Sequence, residues 1–212
     1  MAYDLEEQEQ LANFKAFWNR YGNFLLTVVT VVLLAIAGWR GWGWYQAREA
    51  AAAAVVYEQL QVAVQSKDLA KVKAAAGTLF EQYGRSAYGP MGALVAAKAY
   101  FDGGDLKAAR APLQWVIDNA SDDEFKHLAR VRLAGIMLDQ EAYDEGLKLL
   151  SAEPSVRFAA AYADRRGDLL LAQGKTDEAR AAYQQAIDKS DTRSPMRRVI
   201  QVKLDALGGA AK

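Results

Sequence analysis

Few residues in this 212-residue sequence could do chemistry, and their spacing decides what each can do. The only histidine, His127 in EFKHLAR, could act as a base or a metal ligand. It has no second histidine, no cysteine and no HExxH spacing beside it, so it reads as a surface histidine at a helix start. The chain has no cysteine at all, which removes disulfides, thiolate zinc sites, a cysteine nucleophile and a lipoprotein anchor. Asp122-Asp123-Glu124 could pair carboxylates for acid–base work. Acidic residues opening a helix are accounted for by the positive end of its dipole. Gly103-Gly104 and Gly89-Pro90 mark turns, because neither belongs to a GxGxxG or GxxxxGK phosphate loop. No GxSxG elbow occurs. The expectation is a protein without catalytic, metal-binding or cofactor-binding residues, whose function lies in a surface.

The element that positions everything else is the uncharged run Tyr21–Trp39, YGNFLLTVVTVVLLAIAGW, bracketed by Arg20 and Arg40. As a helix it spans roughly 28 Å, close to the ~30 Å hydrocarbon core of a bilayer. Thr27 and Thr30 are its only central polar groups, and a helix lets such hydroxyls bond back to the preceding turn. Trp18 and Tyr21 flank one end, and Trp39, Arg40, Trp42 and Trp44 the other, as expected of rings and charges at the headgroup level. The run is longer than a signal-peptide core, begins after an acidic start, and has bulky tryptophans where a cleavage site would need small residues. An uncleaved anchor is expected, contacting membrane lipid.

The sequence divides as a short amphipathic tail (1–20), a transmembrane helix (21–42), a juxtamembrane linker (43–52), a tetratricopeptide-like helical domain (53–207) and a disordered tail (208–212). In the first part, Leu11, Phe14, Trp18 and Tyr21, with Phe17 beside them, line one helical face. It reads either as a short interfacial helix turning near Gly22 or as an extension of the span. Flanking charge does not orient the anchor, since Lys15 and Arg20 face Arg40 and Arg48. The formal net charge is zero, so nothing favours nucleic acid as a partner.

Beyond Ala50, alanine-rich helical periodicity repeats on a fixed ruler. The spacing Gly104–Ala109–Leu113–Val116 recurs as Gly174–Ala179–Tyr183–Ala186. Weaker copies run through Leu60, Ala63, Asp68, Val72, Ala76 and Leu79, and through Leu133, Ala134, Tyr143, Gly146 and Leu150. The copies begin at Ala53, Pro90, His127 and Ala160, near the 34-residue period of a tetratricopeptide unit. Small residues (Ala97, Ala109, Ala134, Gly167, Ala179) suit helix crossings, and larger ones (Tyr100, Leu113, Leu150, Tyr183) fill the gaps. Ser194-Pro195 opens a final helix that closes the stack and ends at Gly208-Gly209. The fold class is therefore all-α: one N-terminal transmembrane helix, then a tetratricopeptide-like solenoid with a C-terminal capping helix.

In such arrays the first helix of each pair lines the concave face at its second, fifth, ninth, twelfth and thirteenth positions. These positions nominate Met91, Leu94, Phe101, Leu128, Val131, Leu138 and Leu171 as an apolar strip. Lys98, Asp102, Asp139, Asp164 and Asp168 would form its rim. An extended or helical peptide would fit there, unless the last helix covers the strip.

The landmarks FKAFWNRYGN, GWRGW, YGPMGALVAAKAYFDGGDLKAA, ADRRGDLLLAQGKTDEARAAYQQAI and SPMRRVIQVKLDAL resemble the YfgM-type ancillary subunits of the bacterial Sec translocon over nearly the whole chain. The resemblance implies a single-pass inner-membrane protein with a cytoplasmic N-terminus and a periplasmic repeat domain. It also implies association with SecYEG and the chaperone PpiD, assistance to secreted or outer-membrane proteins leaving the channel, and emerging secretory chains as clients. It transfers no catalytic residue. Two rival readings remain: a periplasmic tetratricopeptide adaptor for another envelope assembly pathway, and a regulator acting through its cytoplasmic tail.

Overall fold

A computed structural model describes residues 2–208, with side chains from Glu9 onward; Met1 and residues 209–212, most of the expected tail, lie outside the described residues. Every regular element among them is a helix. The chain divides between Glu49 and Ala50 into two units.

In the first unit, the helix α1 (Ala2–Gln65) runs without interruption through the tail, the apolar run and residues 43–52. This selects the extension reading of the tail over a turn at Gly22, and it replaces the expected linker with helix. The reason is local: the segment has no proline, and QAREAAAAAVV is built from strong helix formers. Thr27 Oγ1 donates to Asn23 O and Thr30 Oγ1 to Leu26 O, both at 2.8 Å. The apolar side chains from Phe24 to Ile36 are exposed, and this is the one described helix long and apolar enough to cross a membrane. Trp18 lies over Gly22, where a Cβ would come within 3.0 Å of the indole. Arg20 sits over the Tyr21 ring and Arg48 over Trp44, so the flanking cations and aromatic rings are interleaved.

The second unit is a stack of helical hairpins. The end of α1 packs on α2 (Leu69–Tyr83) through Ala53, Leu60 and Ala63 against Val72, Ala76 and Leu79. Helix α3 (Tyr88–Asp102) pairs with α4 (Leu106–Asn119), α5 (Asp123–Asp139) with α6 (Tyr143–Leu149), and α7 (Ala159–Ala172) with α8 (Thr176–Asp188). Helix α9 (Pro195–Ala206) closes the far end against α8. Ala97, Ala109, Ala134, Gly167 and Ala179 are buried at the crossings as expected, and Leu113, Leu150 and Tyr183 fill the core between them.

The hairpin turns show the repeat most directly. Lys67, Gly104, Glu141 and Gly174 all have positive φ, at 54°, 80°, 59° and 76°. Their spacing follows the same ruler as the four copies. In each turn the next residue's N–H returns to the carbonyl five positions back: Asp68 to Ala63, Asp105 to Tyr100, Ala142 to Met137, Lys175 to Leu170. A left-handed conformation disfavours a residue with a Cβ by roughly 1–2 kcal/mol, whereas glycine adopts it freely. Lys67→Gly and Glu141→Gly should therefore stabilise the domain slightly, by about 0.5 kcal/mol each after glycine's extra chain entropy is subtracted. Gly104→Ala and Gly174→Ala should move the urea midpoint the other way. Equal effects at all four positions would contradict the shared turn geometry.

The third hairpin departs from the ruler. Helix α6 has only seven residues, and the chain then runs irregularly past Pro154 to α7. Proline lacks the N–H needed to prolong a helix and biases its predecessor away from helical angles.

Candidate functional site

The second unit carries two adjoining cavities that share Lys98, Asp102 and Arg132. The larger, about 320 Å³, is lined by Ala97, Phe101, Leu113, Gly135, Ile136, Asp139 and Arg165 besides the shared residues. The other, about 290 Å³, adds Tyr57, Val64, Met91, Leu94 and Val95. Together they form a groove across the first helices of the first three hairpins, with α7 reaching in through Arg165.

Of the expected strip, Met91, Leu94, Lys98, Phe101, Asp102 and Asp139 are brought together here. Phe101 is 42% exposed and lines the larger cavity. Lys98 Nζ reaches both carboxylate oxygens of Asp102, at 2.9 and 2.8 Å, an exposed pair one turn apart. Arg132 Nη1 donates a long 3.4 Å bond to Leu94 O. Partial burial lowers the Arg132 pKa, but a guanidinium is basic enough to stay charged at neutral pH. Arg165 packs over Gly135, where a Cβ would lie 3.3 Å from its Cζ, and its Nη1 donates to Asp168 at 3.1 Å.

The remaining expected residues go elsewhere. Leu128 packs into the core between α3, α4 and α5, while Val131 and Leu138 pack against the cluster of Ala134, Leu150, Tyr162 and Leu169. The side of α5 expected to face a ligand is thus partly covered by α7. Leu171 is exposed but lines neither cavity. Asp164 and Asp168 are not rim charges. Both accept from Lys203 of α9, at 2.8 and 2.7 Å, and Tyr183 Oη donates to Asp168 at 2.9 Å. Lys203 Nζ also lies 5.5 Å from the Tyr183 ring centre. Burial outweighs the attraction of Lys203 and holds the Asp164 carboxyl above the ordinary carboxylate range. The Tyr183 hydroxyl is pushed up, first by burial and then by Asp168. The last helix therefore does occupy the C-terminal end of the strip and leaves the groove at the N-terminal end open.

His127 is corrected as well. It is 8% exposed, not a surface residue. The Ser155 N–H donates to its Nε2 at 3.2 Å, which places the ring proton on Nδ1, 2.9 Å from Tyr162 Oη. Its ring also packs against Phe158 and Tyr162. The histidine pins the irregular segment after α6 to the start of α5, which is a structural task. Among the described residues no group of three potential ligands gathers as a metal site.

Three of the groove residues missed from the sequence share one register position. Counting from the copy starts, Val95, Arg132 and Arg165 all fall at the sixth position, and Gly135 falls at the ninth. The sixth position was not assigned to the concave face; the ninth was, although Gly135 was not named there.

Residues 15–209 match the family of tetratricopeptide repeat-like domains. A protein named ancillary SecYEG translocon subunit from Neisseria gonorrhoeae is 34% identical over 98% of this chain and 100% of its own length. Proteins of the same name from Escherichia coli and Haemophilus influenzae are 29% and 27% identical, over 95% and 88% of this chain. The chain belongs to the YfgM-type family. Membership spans the apolar run and the helical stack together, so the layout of one membrane helix followed by a tetratricopeptide-like domain is that of the family. The paired hairpins and shared turn geometry of the second unit are the structural form of the repeats on which that family match rests.

Proposed function

We propose that this protein is an ancillary subunit of the Sec translocon, anchored in the inner membrane with its N-terminus cytoplasmic and its helical domain periplasmic. The observation that carries this reading is the near end-to-end similarity to the Neisseria protein of that name, span included. In this role α1 places the domain beside SecYEG, and the groove of Met91, Leu94, Phe101 and Arg132 receives the chaperone PpiD or emerging secretory chains. Confinement near the channel raises effective concentration, so modest groove affinity suffices. The protein acts as a non-enzymatic scaffold.

The test is capture from detergent-solubilised membranes with the tagged full-length chain. The native sequence should retain both SecY and PpiD. Phe101→Asp should lose the groove-bound partner several-fold while retaining SecY and the native melting temperature. Leu138→Asp is a poor probe because that side chain is packed against α7. Capture of neither protein by the native chain would refute the assignment, and unchanged capture by the Phe101 variant would refute the groove.

A further inference from the structure

Both ends of the helical stack expose large apolar side chains among polar ones. At the N-terminal end, the face of α1 and α2 turned away from α3 encloses an open groove of about 670 Å³, lined among others by Val55, Val62, Ala74 and Thr78. Val62 is 60% exposed there. At the other end, α9 buries Ile200 and Leu204 against the stack and presents Val199 and Val202 outward, the latter 69% exposed. Solenoids ordinarily finish in polar capping faces, because an apolar end has the composition of an internal repeat surface. Here one end is a groove and the other a ridge.

Charge matches the two. Arg198 and Asp205 are seven residues apart, so they lie one above the other along one edge of the α9 ridge, about 10 Å apart. The groove carries Glu58 on α1 and Lys71 on α2. Neither Arg198 nor Glu58 makes an ion pair among the described residues, and Lys71 has only an exposed pair with Asp68. The other cations of α9 face inward: Arg197 donates to the Ile187 carbonyl, and Lys203 is held by Asp164 and Asp168. The ridge is therefore not a basic strip suited to anionic lipid. We propose that copies of this chain associate head to tail, with the α9 ridge of one seated in the α1–α2 groove of the next and Arg198 facing Glu58. Such a heterologous contact uses two different surfaces per copy and extends the superhelix across chains.

The absence of native cysteine makes the test direct. Full-length Val202→Cys and Val62→Cys chains, carrying different tags, are mixed in the same proteoliposomes and treated with a short bismaleimide. The expected result is a mixed dimer, little product from either variant alone, and a ladder when one chain carries both cysteines. Arg198→Glu should lower the mixed yield several-fold, and adding Glu58→Arg on the partner should restore it. Both cysteine sites are exposed, and an unchanged melting temperature confirms that each variant is folded. Efficient Val202–Val202 product with no mixed dimer would overturn the proposal in favour of a symmetric contact. Labelling of the Val202 site by a photoreactive lipid, without mixed dimer, would overturn it in favour of the membrane surface.

Discussion

Gly167→Ala should destabilise the helical domain by about 2–3 kcal/mol, at the upper end of what overpacking a core does. A Cβ at this position would come within 2.5–2.9 Å of three atoms of the Tyr183 ring. The ring cannot withdraw easily, because its hydroxyl is bonded to Asp168 and its face lies against Lys203. Gly92→Ala makes the informative comparison. Its nearest obstacle is closer still, at 2.4 Å, but that atom is a terminal methyl of Leu79, which can change rotamer. The Gly92 variant should lose less stability in urea unfolding than the Gly167 variant. Combining Gly167→Ala with Tyr183→Leu should recover part of the loss, since neighbouring substitutions couple. A Gly167 variant as stable as the native chain would show that α7 and α8 can separate without penalty.

Lys203→Met should be the second damaging substitution, at about 1–3 kcal/mol, below the range for fully buried pairs because both partners keep some water. It removes the cation between Asp164 and Asp168 and leaves two half-buried carboxylates facing each other. Its pH dependence has a definite sign. Asp164 already has a folded pKa above its unfolded value, so the folded state holds more protons between those two values. Stability from this group is then gained as pH falls through the folded pKa and lost as pH rises. Without Lys203 the folded pKa rises further. The deficit of the variant should be largest near neutral pH and shrink on acidification toward the ordinary carboxylate pKa. Chemical denaturation of native and variant chains across that interval measures it, and a deficit independent of pH would exclude the ion-pair account.

What the sequence discloses about this molecule follows from how far apart the interacting residues are. The span, its back-bonded threonines and the hairpin turns depend on residues within one or two helical turns, and all were legible. The small-to-large alternation at the crossings was legible because the ruler carries it from copy to copy. His127 was misread because its partners lie far off in the chain, Ser155 28 residues away where the repeat breaks and Tyr162 35 residues away on α7. Asp164 and Asp168 were misread for the same reason, their common partner standing 35–39 residues on in a helix outside the repeat. Six of the twelve residues nominated by analogy of position line the groove. Arg132 and Arg165 escaped because they stand at the sixth position of their copies, which was not among those assigned to the concave face.

The threonines of the anchor bear on how it could be recognised inside the bilayer. Thr27 and Thr30 have directed their hydroxyl hydrogens into their own backbone, leaving the central part of the apolar run, between Asn23 and Trp39, without a side-chain donor to offer a neighbouring span. Gly38 and Gly41, three residues apart and so on one side of the helix, by contrast have open space where a Cβ would stand. Lateral selection by this helix would then be a matter of relief, a shallow notch on one side that admits close approach of another backbone. Bulk added at Gly41, not loss of a polar contact, is the change to which such selection would be sensitive.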